Sequence, residues 1–221
     1  HYDFGEVVSV RRDLGVFVDI GLPNKDIAVS LDDLPTLKNL WPQKGDRLLI
    51  SLRVDGHDRL WGQLDDEQIF QTMAVKPSKK MLNWNVNGTV YRLKLSGTLV
   101  LTDSFQLGFI HPSEREREPR LGERVHARVI GLSSHGSLNL SLKPRAFEAI
   151  DDDAAQIYEL LKHAPNKQLP YTDKSSPAII KEVFGMSKGQ FKRAVGHLLK
   201  ERLVNQVNGQ LILLKEVAFN D

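Results

Sequence analysis

The sequence of 221 residues predicts a multidomain fold in which two all-β barrels of five strands precede a mainly α domain. Two observations carry this prediction. Within residues 1–144, short runs rich in Val, Ile and Leu alternate with turn residues, and the same order of features occurs twice. From residue 145 onward, apolar residues recur at helical spacing. The expected divisions are a barrel at 1–66, a linker with a short helix at 67–85, a second barrel at 86–144 and a helical domain at 145–221.

Each barrel is predicted from five apolar runs. The first set covers residues 7–10, 16–20, 27–31, 47–54 and 59–64, and the second covers 89–95, 98–103, 107–111, 124–132 and 137–142. In both sets a Gly-acidic-Arg triplet precedes the fourth run, at Gly45-Asp46-Arg47 and at Gly122-Glu123-Arg124. Five strands in about 60 residues suit an OB-fold, which leaves one face and several loops for a ligand. Because the linker is short, we expect the barrels to touch.

The last 77 residues are predicted to form a winged helix-turn-helix domain. Three helices are expected at 147–164, 175–185 and 187–203, the second capped by Ser175 or Ser176 and the third by Ser187. The buried stripe of the third helix is predicted to consist of Phe191, Ala194, Val195, Leu198 and Leu199. Residues 203–214 then form a hairpin that turns at Asn208-Gly209.

The composition and the motifs argue against several classes of function. Cysteine is absent, which removes disulfides, thiol catalysis and thiolate zinc sites and suits a cytoplasmic protein. The seven histidines form no pair at metal-ligand spacing, and there is no phosphate-binding loop or serine nucleophile motif. We therefore expect a protein that is not an enzyme and that carries no cofactor or metal.

The overall charge of +2 conceals an uneven distribution along the chain. Residues 1–66 carry −4, residues 67–144 carry +5 and residues 145–221 carry +1. A polyanionic partner would therefore contact the middle and C-terminal parts more readily than the first barrel.

Several segments resemble known RNA-binding modules. Residues 5–21 with 45–64, and residues 87–103 with 108–114 and 122–131, resemble the RNA-binding domain of ribosomal protein S1. The domain order, together with residues 187–204, resembles the bacterial conserved virulence factor B (CvfB/YitL) family. The resemblance implies a regulator of virulence or stress genes that acts after transcription. Members of this family usually carry a further S1-like barrel at the N-terminus, so we expect this chain to be part of a longer protein.

The resemblance also suggests candidate RNA-binding residues in the first barrel. S1 barrels use two aromatic residues, a His after the third strand, and an Asp and an Arg near the fifth, which together stack on bases and contact phosphates. Phe17 occupies one aromatic position and Leu14 the other, Ala28 stands at the position expected for the His, and Asp55 and Arg59 match the acidic and basic positions. Phe17 serves either as a stacking residue or in core or interface packing.

The second barrel departs from that pattern in a different way. His111 matches the His, whereas Ser96 and Leu99 fill the aromatic positions, and Ser133 and Ser137 replace the Asp and the Arg. Alternative aromatic and basic groups on two strands are Tyr91, Arg92, Lys94, Arg124, His126 and Arg128. The last three are spaced by two and so share one strand face, which either contacts nucleic acid or is simply solvated.

The third predicted helix of the C-terminal domain is basic. Residues 187–202 carry a net charge of +4, and Lys188, Lys192 and Arg193 lie on or beside the face opposite the apolar stripe. Such a face contacts phosphates or is that of an ordinary solvated helix.

The sequence thus predicts a protein that binds single-stranded RNA by charge and base stacking. The alternatives are a DNA-binding transcription regulator that uses the winged helix, and a protein-interaction scaffold without a nucleic-acid site. The candidate RNA-binding residues are Phe17, Asp55, Arg59, Tyr91, Arg92, Lys94, His111, Arg124, Arg128, Lys188, Lys192 and Arg193.

Overall fold

The computed structural model describes residues 2–64, 67–145 and 150–216. The chain forms two compact units, His1–Lys143 and Pro144–Asp221. The first unit holds both barrels, and the second holds the winged helix. Among the described residues, no helix has the length and apolar character needed to cross a membrane.

The first barrel is closed by five strands. They are β1 (Tyr2–Arg11), β2 (Gly15–Asp19), β3 (Ile27–Ser30), β4 (Arg47–Val54) and β5 (Leu60–Leu64). The strands follow the order β1-β2-β3-β5-β4, and only β3 and β5 run parallel. Alternate apolar residues fill the interior, with Val16, Val18, Ile27 and Val29 inaccessible to solvent. The prediction of an OB-like barrel is confirmed.

The second barrel repeats this connectivity. Its strands are β6 (Asn85–Lys94), β7 (Gly97–Thr102), β8 (Leu107–Ile110), β9 (Arg124–Leu132) and β10 (Leu138–Ser141), closed in the order β6-β7-β8-β10-β9. The first strand of each barrel is bulged at the same place, between Val7 and Ser9 and between Val90 and Arg92. A bulge bends a strand sharply, which helps a short sheet to close.

The short helix between the barrels, α1 (Glu67–Met73), packs against both of them. Its Phe70 is buried between Leu49 of β4 and Leu101 of β7. The predicted contact between the barrels is therefore confirmed, and the segment expected to be a linker contributes to their shared apolar core.

The two Gly-acidic-Arg triplets meet at the contact between the barrels. The Arg47 N–H donates to the Gly122 carbonyl at 3.0 Å, and a Cβ on Gly122 would lie 2.9 Å from the Arg47 carbonyl oxygen. The Arg120 guanidinium donates twice to the buried Asp46 carboxylate, at 3.0 Å each. Glycine and a two-point ion pair thus allow close and specific contact between the barrels.

The second unit is a winged helix. It comprises α2 (Asp152–His163), α3 (Pro177–Phe184) and α4 (Lys188–Lys200), with the strands β11 (Gln168–Leu169), β12 (Val204–Val207) and β13 (Gln210–Leu213). Its core contains Tyr158, Ile180, Phe191 and Leu198, all fully buried. The caps predicted for α3 and α4 are confirmed, with Ser176 accepting from Ile179 N–H and Ser187 forming a capping box with Gln190.

Three details of this unit differ from the sequence prediction. The first helix begins at Asp152, because the Asp151 carboxylate accepts the Ala154 N–H and caps it; the predicted start at Phe147 lies outside the described residues. The strand β11 was not predicted, since two residues show no periodicity. Leu199 is half-buried and packs at the edge of the core rather than within it.

Candidate nucleic-acid interface

The outer face of the first barrel carries two aromatic side chains in one row. Phe17 of β2 pairs with Ala28 of β3, which pairs with Trp61 of β5. Phe17 lies between the buried Val16 and Val18, so its ring points away from the core. Neighbouring strands lie about 4.8 Å apart, which separates Phe17 and Trp61 by roughly 10 Å across the short Ala28 side chain. Trp61 was not predicted from the sequence as a site residue. The pattern that could have identified it is its position next to Gly62, which faces the core and so directs Trp61 outward.

The Asp55 carboxylate holds Arg59 and Trp61 at the edge of this row. One oxygen accepts the backbone N–H groups of His57 at 2.8 Å and Arg59 at 3.0 Å. The other accepts Arg59 Nε at 2.8 Å and Trp61 Nε1 at 2.9 Å. Desolvation opposes ionisation, but these donors prevail and hold the pKa of Asp55 well below its ordinary value. The Arg59 guanidinium lies 5.6 Å from the centre of the Trp61 ring, a cation–π contact.

The second barrel builds the same turn without charge. Ser133 Oγ accepts the N–H groups of His135 at 3.2 Å and Ser137 at 3.1 Å, as Asp55 does in the first barrel. The Ser133 N–H donates to the Ser137 carbonyl at 2.8 Å, and Asp55 N–H donates to the Arg59 carbonyl at 3.0 Å. The turn geometry therefore needs only an oxygen acceptor, and the carboxylate of Asp55 is left to orient Arg59 and Trp61.

The corresponding row on the second barrel is Arg92, Leu99, Phe109 and Asn139. Phe109 was not singled out from the sequence, although it alternates with the buried Gly108 and Ile110. Its ring lies over Gly97, where a Cβ would be 2.5 Å away, and it meets His111 edge-on with ring centres 6.5 Å apart. This row therefore presents one aromatic ring and one aliphatic side chain.

The strand register corrects the assignment of Ala28 to the position of the histidine. Phe17 pairs with Ala28 just as Leu99 pairs with Phe109, so Ala28 corresponds to Phe109. His111 instead corresponds to Ser30. Ser30 ends β3 and His111 directly follows β8. Each caps the following 3-10 turn, since Ser30 Oγ accepts from Asp32 N–H and His111 Nδ1 accepts from Ser113 N–H.

Three of the alternative groups in the second barrel are engaged by α1. The Tyr91 ring stacks on Phe70 with centres 4.0 Å apart, and burial, together with the negative charge of Glu67, raises the pKa of Tyr91 to about 12. Arg92 Nε lies 3.1 Å from the Glu67 carboxylate, which also pairs with Lys94. Tyr91 is therefore a packing residue, whereas Arg92 and Lys94 remain exposed and share one counter-charge.

The predicted basic face on β9 exists, but its charge is partly compensated. Arg124, His126 and Arg128 alternate with buried residues and point outward. Arg124 forms a two-point ion pair with Asp103, and Arg128 donates to the Lys143 carbonyl at 3.2 Å. His126 is hydrogen-bonded to the Asn87 side chain. The net charge of residues 67–144 thus overstates the positive charge that this face offers to a ligand.

The helix α4 presents the remaining basic candidates. Lys192 and Arg193 are exposed opposite the buried stripe, and Lys188 is half-buried. Within the described parts of the chain, no carboxylate lies within 4 Å of these three cations. Gly189 and Gly196 are exposed on the same helix and leave its backbone uncovered.

The barrels and the winged helix define a multidomain protein whose domains have folds of the kind found in nucleic-acid-binding proteins. Two OB-like barrels expose aromatic and cationic side chains, and a winged helix exposes a cationic helix. Across residues 2–64, 67–145 and 150–216, no cluster of three or more His, Asp or Glu side chains is arranged to hold a metal ion.

Comparison with known proteins identifies the family. Residues 2–63 match the first S1-like domain of CvfB, residues 70–144 match the second domain of the virulence regulatory factor CvfB, and residues 155–213 match the CvfB-like winged helix domain. Conserved virulence factor B of Staphylococcus epidermidis is 45% identical over 217 residues, which are 97% of this chain and 72% of that protein. The chain belongs to the conserved virulence factor B family, whose members are named as virulence regulatory factors.

Further relatives agree with this assignment. The Staphylococcus aureus protein of the same name is 44% identical over 216 residues, covering 97% of this chain and 71% of the relative. A crystal structure from Streptococcus pneumoniae, described as a multidomain protein with nucleic acid binding domains, is 51% identical. It covers 97% of this chain and 75% of its own, with a TM-score of 0.66.

Proposed function

We propose that this protein is a cytoplasmic regulator that binds single-stranded RNA and acts on gene expression after transcription. The observation that carries the proposal is the row of Phe17 and Trp61 on the outer face of the first barrel, with Arg59 held against Trp61 by Asp55. Aromatic rings stack on bases of any sequence, and a guanidinium beside them attracts the phosphate backbone. Relatives named as virulence regulatory factors support the regulatory role.

The first barrel is the main contact in this proposal, although its net charge is negative. The cations of the second barrel are engaged by Glu67 and Asp103, so the chain's charge distribution is a poor guide to the site. The stacking residues lie beside Arg59, whose Nε is bound to Asp55 but whose side chain is 63% exposed, so its outer nitrogens can meet a phosphate. The second barrel and α4 contribute Arg92, His111, Arg128 and Lys192 as weaker contacts, which add because they lie in one chain.

The test is fluorescence anisotropy with labelled single-stranded RNA, single-stranded DNA and duplex DNA at fixed salt. Phe17→Ala should weaken RNA binding by about 1–3 kcal/mol, or roughly fivefold to 150-fold, because one stacking surface is lost. Phe105→Ala is the matched control, since it removes an exposed phenyl ring from the turn between β7 and β8. Equal affinities of the two variants would refute the proposed site.

A second candidate function is binding of duplex DNA through α4. The observation in its favour is that Lys192 and Arg193 project from the same helix as the exposed Gly189 and Gly196, which allow a phosphate backbone to approach closely. Tighter binding to duplex DNA than to single-stranded RNA, lost in Lys192→Glu, would favour this function. Absence of binding to either nucleic acid would favour a protein-interaction scaffold.

A further inference from the structure

A groove separates the two barrels beside both outer rows. It encloses about 420 Å³ and is lined by Pro35, Gln63 and Leu64 of the first barrel and by Tyr91, Arg92 and Leu93 of the second. Leu64 and Leu93 pack against the core of the first barrel and form the floor. Gln63 and Arg92 are exposed and form the two polar walls.

On the first barrel, β5 connects the aromatic row to this groove. Trp61 and Gln63 flank Gly62, which faces the core, so both side chains point outward on one strand. They are two residues, or roughly 7 Å, apart along the strand. A ligand that stacks on Phe17 and Trp61 therefore reaches the groove by following β5 past Gln63.

On the second barrel, the opposite wall leads to the other row. Arg92 pairs with Leu99 of β7, and Leu99 pairs with Phe109 of β8. Arg92 is thus both a wall of the groove and the first member of the row that ends at Phe109 and Asn139. The two outer rows are continuous through the groove.

The charges around the groove suit a phosphate backbone. Among the residues that the structure describes, Arg92 and Lys94 share the carboxylate of Glu67, which leaves one positive charge in excess at this wall. Across the groove, Asp33 is paired with Arg53 at 3.7 Å and adds no net charge. A phosphate that enters the groove therefore meets a net positive wall beside an apolar floor.

The barrels are held in a fixed relation on either side of the groove. The double hydrogen bond from Arg120 to Asp46 is reinforced by backbone bonds from Arg47 N–H to the Gly122 carbonyl and from Leu121 N–H to the Leu40 carbonyl, both 3.0 Å. The barrels are therefore already oriented relative to one another when the protein has folded. A nucleic-acid strand that binds both of them loses no further entropy in orienting them.

We infer that one single-stranded RNA runs from the Phe17–Trp61 row, through the groove past Gln63 and Arg92, to the Leu99–Phe109 row. The two barrels then form one continuous track with a fixed register rather than two separate sites. This inference rests on the proposed function, because it takes single-stranded RNA as the ligand. Bases stack at the two ends, and backbone phosphates pass the cationic wall in the middle.

The test measures how affinity depends on RNA length. Labelled oligouridylates of 5 and 12 nucleotides are titrated into the full chain at fixed salt, since a single OB-fold takes about 4–16 nucleotides and the shorter oligomer suits one barrel. We expect the 12-mer to bind at least about tenfold more tightly than the 5-mer. Gln63→Glu places a negative charge in the groove and should remove about tenfold of the 12-mer affinity while lowering the 5-mer affinity by a smaller factor.

Asn24→Asp is the charge-matched control. It adds the same charge to the same barrel in the loop before β3, whereas Gln63 lies beside the end of β3. Asn24 has a positive φ that aspartate also tolerates, so the fold is kept. Arg92→Ala is a second variant, for which we expect the 12-mer to lose more affinity than the 5-mer.

Each outcome separates this inference from the proposed function. The continuous track is wrong, and RNA binding stands, if the 5-mer binds and the 12-mer binds no more tightly than the 5-mer. The same conclusion follows if Gln63→Glu and Asn24→Asp change the 12-mer affinity equally. If neither oligomer binds, the proposed function fails and the track fails with it. Selective loss of the 12-mer gain in Gln63→Glu and Arg92→Ala supports both.

Discussion

Replacing Arg120 with methionine tests how strongly the two barrels are joined. The side chain of Arg120 is 21% exposed and that of Asp46 is 8% exposed, so the ion pair between them is largely removed from water. Arg120 also lies 3.6 Å from the Glu123 carboxylate. Methionine keeps the apolar stem of Arg120 and removes only the charge and its donors.

The expected magnitude follows from what Asp46 retains. Removing one partner of a buried ion pair costs about 3–5 kcal/mol, because the other charge stays buried and unpaired. Asp46 still accepts the Gln43 N–H at 2.7 Å, and water can enter beside the partly exposed site. We therefore expect Arg120→Met to lower the free energy of unfolding by about 2–3 kcal/mol.

The assay is urea unfolding followed by tryptophan fluorescence, with Arg117→Met as the matched control. Arg117 also pairs with Glu123, but its side chain is 66% exposed, so its loss should cost about 1 kcal/mol or less. If the two variants are equally stable, or if Arg120→Met costs less than about 0.5 kcal/mol, then burial does not set the strength of this contact.

Three further predictions concern single positions. Asp55→Ser should keep the fold, because Ser133 holds the equivalent turn, and lower the urea midpoint only slightly through the lost bonds to Arg59 and Trp61. It should weaken RNA binding in anisotropy, because Arg59 and Trp61 are released. Desolvation opposes the ionisation of Glu123, but the bonds from Arg117 and from the Arg120 N–H outweigh it and lower the pKa of Glu123. The charged carboxylate therefore stabilises the fold fully above the pKa of the unfolded chain, near 4.5, and this stabilisation is lost as the pH falls through the lower pKa of the folded protein. Urea midpoints measured below pH 4.5 should therefore fall less steeply in Glu123→Gln than in the parent. Gly97→Ala should destabilise more than Gly136→Ala by at least about 1 kcal/mol, because both glycines have positive φ but only Gly97 lies against Phe109; equal urea midpoints would contradict this.

The strands and most caps could be predicted because their signals are local. Alternation within β2 oriented Phe17 outward, and Ser176 before Pro177 marked the start of α3. Residues 150 and 151 were predicted to lie within α2 but precede it, because apolar spacing continues past the aspartate that caps the helix. Local patterns therefore sufficed where a single residue or its neighbours decide the structure.

The site was harder to predict because it is assembled from distant segments. Trp61 joins Phe17 only through the parallel pairing of β3 with β5, which no local pattern reveals. The assignment of Ala28 to the histidine position was wrong for the same reason. Strand pairing decides which residues of the two barrels are equivalent, and counting residues along the sequence does not reveal it. The carboxylate of Glu67 lies on a helix remote in sequence from Arg92, so charge counts could not show that the two compensate one another.

The contact between the barrels also limits how copies of this chain associate. Gln43 and Arg120 stand at equivalent positions, each giving its N–H at 2.7 Å to the acidic residue three places later, but only Arg120 has a charge to extend to the other barrel. The interface is therefore directional: the second barrel supplies the cation and the first supplies the anion. A directional contact between repeated modules can propagate from molecule to molecule into open-ended assemblies. Here Asp46 already holds Arg120 of its own chain, and Glu123 holds Arg117, so both carboxylates are occupied internally and this contact is closed within a single molecule.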